Sequence, residues 1–196
     1  MNIPKIDLFS DTKTRPSKPM LNAMIDAETG DEQAGEDPTT IKLQERVAKL
    51  LGKEAALFVP SGTMCNQISI AIQCQAGDEI IADKTAHIIN FEAGGAAVIA
   101  RTMIKPLEGR RGQFSIDQVR EAIRAGFRHA PSSKMVAVEQ TANLGGGSIW
   151  PLHTLKSLQE LSIEHNLVMH MDGARLMNAV IARGVSAAEY AATVDT

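Results

Sequence analysis

The chain has 196 residues, of which 44% are hydrophobic and 22% charged, and a formal net charge of −3. This length can bury a sizeable core as one domain, and the composition is ordinary for a globular protein. The slightly acidic balance, with no Lys/Arg-rich run, argues against a phosphate-backbone footprint, so nucleic acid is not an expected partner.

From the N-terminus, Met1 to Pro16 holds no apolar stretch fit for a signal peptide, and no later segment is suited to span a bilayer. A soluble, cytosolic chain is the expectation. Asp37-Pro38 reads as a helix N-cap with proline at the first position, Leu43, Val47, Leu50 and Leu51 mark an apolar face, and Gly52 ends the helix. Ala55–Val59 is a short apolar run with strand character, followed by Pro60-Ser61-Gly62-Thr63. A helix then runs from Thr63 through Met64, Ile68, Ala71 and Ile72 and stops at Gly77. Cys65 and Cys74 fall nine positions apart in it, too far to meet on one turn, and no zinc-type spacing accompanies them. Both read as reduced thiols packed in the interior, and no metal site is expected.

Glu79–Ala82 and Ala97–Ala100 are further strand candidates. Ser115-Ile116-Asp117-Gln118 looks like a helix start, with Val119 and Ile123 facing inward and Gly126 closing it. Met135–Val138 reads as a strand, Leu152 to His165 as a helix, and Leu167–Met171 as the last clear strand before a helical stretch from Ala174. Tyr190 to Thr196 looks like the approach to another strand. Short apolar strands alternating with amphipathic helices predict an α/β fold, a mostly parallel sheet with helices on both faces.

Three polar features stand at the predicted C-terminal ends of strands, the edge where open parallel sheets bind ligands. Ser61-Gly62-Thr63 offers a helix N-terminus and two hydroxyls to an anion, although for an isolated Ser-Gly-Thr simple capping by Ser61 is the better reading. No P-loop or G-x-G-x-x-G pattern occurs, which disfavours ATP, GTP or NAD. Asp172 follows the last strand and has two readings. It could cap the next helix and pair with Arg175, or keep a ligand's ring nitrogen protonated. His87 alone reads more readily as a structural histidine than as a catalytic one, and Glu92-Ala93-Gly94-Gly95 and Gly145-Gly146-Gly147 imply tight turns or close backbone approach.

Together, several segments resemble the threonine aldolase and β-eliminating lyase group of fold-type I pyridoxal-phosphate enzymes. They are Asp7 to Pro16 (D-L-F-S-D-T-K-T-R-P), Gly35-Glu36-Asp37-Pro38-Thr39, Glu54 to Thr63 (E-A-A-L-F-V-P-S-G-T) with Met64 to Gln67, His87 with Glu92–Gly95, and His170–Arg175. The resemblance implies the aspartate aminotransferase-like large domain, binding pyridoxal 5'-phosphate. It also implies roles: Gly62 and Thr63, with Ser61 nearby, on the cofactor phosphate; His87 stacked on the ring; Asp172 on the ring nitrogen. Arg175 would reach the cofactor hydroxyl and the substrate carboxylate, and Ser10 would also contact that carboxylate. The implied reaction is aldol cleavage of a β-hydroxy-α-amino acid to glycine and an aldehyde, in a homodimer or homotetramer, with His87 and Asp172 as catalytic residues. The alternatives are β-elimination on another amino acid and a catalytically incompetent fragment.

Three positions depart from the family pattern. Ala34 precedes Gly35 where a tyrosine is common, Phe91 replaces a second pocket tyrosine, and Ala142 replaces the histidine of the E-N-T-H-N stretch, read here as Glu139-Gln140-Thr141-Ala142-Asn143. An altered side-chain preference or β-leaving group follows as an expectation. The family's Schiff-base lysine is expected just beyond Thr196, since all ten lysines precede Asp172. Residues 1–196 are therefore read as an N-terminal segment plus most of the cofactor-binding large domain, incomplete, without the smaller C-terminal domain and inactive as they stand.

Overall fold

The computed structural model describes residues 6–7, 9–124 and 126–196, so Leu8 of the N-terminal motif lies outside the described residues. Two compact units divide after Gln44. The first carries a 3-10 turn, Asp11–Lys13, capped by Ser10, and helix α1 (Lys18–Ile25). Helix α2 (Pro38–Leu51) runs across the division. Its cap is the expected one: Asp37 Oδ1 accepts from Thr40 N at 2.7 Å and Oδ2 from Gly30 N at 2.9 Å. These N–H bonds hold the Asp37 carboxyl below its ordinary value.

The second unit contains α3 (Gly62–Gln73), β1 (Glu79–Asp83), α4 (His87–Asn90), α5 (Gly95–Val98), β2 (Met103–Leu107) and α6 (Ile116–Ala122). Then follow β3 (Ser133–Glu139), α7 (Leu152–Glu164), β4 (Val168–Asp172), α8 (Leu176–Arg183) and α9 (Ala187–Ala191). The four strands form an all-parallel sheet in the order β2-β1-β3-β4. Beyond β4, Asp195 N donates to Met169 O at 2.8 Å and Met171 N to Thr196 O at 2.9 Å. The strand approach expected after Tyr190 therefore lies against the sheet.

Strand alternation sorts the side chains into two cores. Ile81, Val136, Val138, Met169 and Met171 face Leu155, Leu158 and Leu161 of α7, Val119 of α6 and Tyr190 of α9. Ile80, Ala82, Met135 and Ala137 face the other way, onto Ile70 of α3, Ile88 of α4 and Ala96 of α5. Helices thus cover both faces, as the strand–helix rhythm predicts. Between α3 and α5 the fit at Gly95 is close: a Cβ there would lie 2.1 Å from Gln67 Nε2 and would displace that side chain.

Glu79, at the start of β1, receives Arg124 Nε at 2.9 Å on Oε1 and Nη2 at 2.8 Å on Oε2, the two-pronged geometry that compensates a desolvated carboxylate. The predicted box at Ser115 is complete: Gln118 N donates to Ser115 Oγ at 3.2 Å and Ser115 N to Gln118 Oε1 at 2.8 Å. Ser115→Ala is expected to lower unfolding free energy by about 1 kcal/mol in urea titration; an unchanged midpoint would show that the box adds nothing.

Two expected strands are absent from the described residues. Ala97–Ala100 overlaps α5, and the strand lies later, at Met103–Leu107. Alanine favours helix over strand, and the true strand hides behind Lys105 and Pro106, tolerated because β2 is an edge. Ala55–Val59 carries no regular secondary structure, and Leu57 is 67% exposed. The two thiols are free, but only Cys74 is buried; Cys65 is exposed, which corrects its expected interior position.

Candidate active site

Because β1, β3 and β4 run the same way, their last residues, Asp83, Glu139 and Asp172, end at one edge. Asp83 is engaged in structure: it accepts from Thr85 N and Oγ1 on one oxygen and from Gly109 N on the other. Glu139 and Asp172 stand opposite each other in the β3–β4 register, one step beyond Ala137 and His170 on the same face. That face looks onto α3, where Asn66 sits one turn into the helix.

The side chains meet there. His87, which opens α4, Glu92 and Asp172 place one polar atom each within 4.8 Å of one another. His87 Nδ1 lies 2.8 Å from Glu92 Oε1; the His87 side chain is 33% exposed and that of Glu92 1%. A carboxylate only accepts, so Nδ1 carries the hydrogen and Nε2 is left to face outward chemistry. Asn66 Nδ2 donates to Glu92 Oε1 at 2.7 Å and to Asp172 Oδ2 at 2.9 Å, and Asp172 Oδ1 accepts from Ala174 N at 3.0 Å. Amide hydrogens therefore occupy the space between the carboxylates where a cation would sit. Glu139 accepts from the backbone N–H of His87 and from Asn143 N at 3.0 Å. Burial pushes the Glu139 carboxyl up, against the pull of those two N–H groups.

His170 completes the cluster, 4% exposed, with Nε2 3.0 Å from Asn66 Oδ1 and Nδ1 3.0 Å from Thr196 Oγ1. Burial holds its imidazole below the ordinary 6.5. The unfolded chain therefore binds a proton that the folded chain refuses as pH falls below 6.5. Stability should be full above that value and decline below it. The check is the urea midpoint at pH 7.5 and pH 5.5 for the parent and His170→Gln: the parent should lose more on acidification, and equal losses would refute it.

The expected site residues separate as follows. His87 and Asp172 lie within 4.8 Å of each other. Ser61 is the N-cap of α3, its Oγ accepting from Met64 N at 3.1 Å, and its hydroxyl hydrogen remains for another acceptor. Gly62 and Thr63 form the first turn, whose N–H groups have no intrahelical carbonyl to bond. Arg175 is the N-cap of α8 and its backbone N–H donates to Gln140 O at 3.2 Å. Ser10 belongs to the first unit, where its Oγ accepts from Thr12 N. Phe91 packs on His87, ring centres 5.3 Å apart. Ala142 is 1% exposed, and Gly112 and Gly145 pack beside its Cβ. Sequence reasoning missed Asn66, Glu139 and His170 as members of the cluster and read Glu92 only as part of a turn. Their signal was parity along the strands and one turn of α3.

The family model for beta-eliminating lyases matches residues 7–196. The chain is 41% identical over 192 residues to the low specificity L-threonine aldolase of Escherichia coli K12, covering 97% of this chain and 57% of that protein. It is 38% identical over 195 residues to low-specificity L-threonine aldolase 1 of Arabidopsis thaliana, covering 97% and 54%. The solved threonine aldolase of Leishmania major superposes with a TM-score of 0.77 at 22% identity, over 90% of this chain and 52% of that one, and shares the fold. The chain thus spans about half the length of the relatives it matches.

Proposed function

Given that this chain belongs to the beta-eliminating lyase family, we propose that it forms the cofactor-binding part of a pyridoxal-phosphate-dependent lyase that cleaves β-hydroxy-α-amino acids to glycine and an aldehyde. The observation that carries this is the meeting of His87 and Asp172 at the C-terminal edge of the sheet, beside the first turn of α3. The donor set fits the cofactor. Asp172, half-buried, keeps lone pairs to spare after two hydrogen bonds, enough to receive a pyridinium N–H. The Gly62 and Thr63 N–H groups and the Ser61 and Thr63 hydroxyls suit a phosphate, and a Cβ at Gly62 would meet nothing within 4 Å, so the approach is open. His87 has a partly exposed ring for stacking.

When bound, the cofactor supplies an electron sink for the pair released from the broken Cα–Cβ bond. The chain's own work is placement. Asp172 holds the proton on the ring nitrogen, His87 fixes the plane of the ring, and Arg175 and Ser10 are assigned to the substrate carboxylate. A homodimer or homotetramer is the proposed assembly, in the cytosol.

One observation favours a second reading. Ala142 stands where the family has an imidazole, and it is sealed against Gly112 and Gly145, so it cannot take a proton from a β-hydroxyl. A different β-leaving group is the alternative within the same chemistry. Calorimetric titration with pyridoxal phosphate tests the binding half: saturable uptake should be lost in Asp172→Ala and weakened in Thr63→Ala. Product analysis with L-threonine and L-allo-threonine, on the full-length enzyme carrying this chain, tests the rest. Glycine and an aldehyde support aldol cleavage, a keto acid with ammonia identifies β-elimination, and no uptake of cofactor refutes both.

A further inference from the structure

Asn66 is 3% exposed, and its one carboxamide makes three hydrogen bonds to three different functional side chains. Nδ2 spends both hydrogens on carboxylates, Glu92 at 2.7 Å and Asp172 at 2.9 Å. Oδ1 lies 3.0 Å from His170 Nε2. No other orientation of the amide satisfies all three partners, since a flipped amide would set its oxygen against two carboxylates. Oδ1 is an acceptor, so His170 must carry its hydrogen on Nε2. A buried, neutral imidazole has only one, which leaves Nδ1 to accept from Thr196 Oγ1 at 3.0 Å.

The chain of donors is thereby fixed along its whole length: Thr196 hydroxyl to His170, His170 to Asn66, Asn66 to Glu92 and Asp172. Glu92 Oε1 in turn receives His87 Nδ1. We propose that Asn66 is the positioning residue of this site, a clamp whose amide, oriented by His170, sets Asp172 directly and His87 through Glu92. It would touch neither cofactor nor substrate. The two groups assigned to opposite parts of the pyridine ring, its nitrogen and its face, are joined by this single side chain. The proposal deepens the function given above and rests on it for the roles of Asp172 and His87, whereas the hydrogen-bond order stands without any cofactor.

The test uses the chain labelled with 15N-histidine, read by long-range 1H–15N correlation without cofactor, and by calorimetric titration with pyridoxal phosphate. The parent should show His170 as a single Nε2–H tautomer and His87 with its hydrogen on Nδ1. In Asn66→Leu, close in volume and without an amide, the single tautomer of His170 should be lost. Cofactor affinity should fall at least about tenfold, the scale of one lost hydrogen bond to a charged group. Asn66→Asp retains an acceptor for His170 but no donors, so it should keep the tautomer while weakening affinity, a split that mere loss of packing does not produce. A His170 hydrogen on Nδ1 in the parent overturns the clamp even if neither variant folds. Unchanged spectra and affinity in Asn66→Leu do the same. A parent with the expected tautomer but no uptake of pyridoxal phosphate supports the clamp and refutes the function.

Discussion

Asp172→Asn is expected to lower turnover of the enzyme carrying this chain by about 10²–10³-fold, the scale of losing one preorganised charge at the reacting system. Asparagine keeps the size and an acceptor oxygen, so the bond from Ala174 N survives. It does not carry the negative charge that holds a proton on the ring nitrogen. Without that proton the ring is a poor electron sink, and the step in which the Cα–Cβ pair is released suffers most. Substrate capture, assigned to Arg175 and Ser10, should change little, so the loss should fall on kcat rather than KM. Glycine release from L-threonine, with circular dichroism to confirm the fold, reads both quantities. A variant as fast as its parent would end the assignment of Asp172 to the ring nitrogen.

Trp150→Ala should be the most damaging single truncation in the core. Trp150 is fully buried, meets Phe114 edge-on at 5.0 Å, and is bracketed by the Gln140 amide: Trp150 N donates to Gln140 Oε1 at 3.1 Å and Gln140 Nε2 to Trp150 O at 3.2 Å. The indole Nε1 finds no acceptor among the described residues, so the loss is one of apolar contact and filled volume. Removing it should cost about 3–5 kcal/mol, a large part of the 5–15 kcal/mol typical of a domain. Urea unfolding followed by far-ultraviolet circular dichroism measures it, since Trp150 is the chain's one tryptophan. A shift below about 1 kcal/mol would mean that the cavity closes by collapse.

What could be read from sequence was what local chemistry decides. β1, β3 and β4 showed as apolar runs because they are central or covered on both faces, and α2, α6 and α7 showed through Asp37-Pro38, the Ser115 box and the spaced leucines. β2 did not, since an edge strand can hold Lys105 and Pro106 without losing its one ladder. Ala55–Val59 has strand composition but belongs to no strand among the described residues, and composition alone does not make a strand. At the site, Asp172 was legible because it ends β4, and His87 because it follows closely on the end of β1. Asn66 and His170 were not, because their importance comes from facing each other across the gap between α3 and β4, more than a hundred positions apart in the chain.

The loop that seals Ala142 limits what position 142 can hold. A Cβ on Gly112 would lie 2.8 Å from the Ala142 Cβ, and one on Gly145 would lie 3.0 Å from it and 2.0 Å from Arg111 O. Alanine and two glycines have settled into one another, so none of the three can grow alone. A larger side chain at 142 would press on the backbone at Gly112 and Gly145, so position 142 can widen only if that loop opens with it.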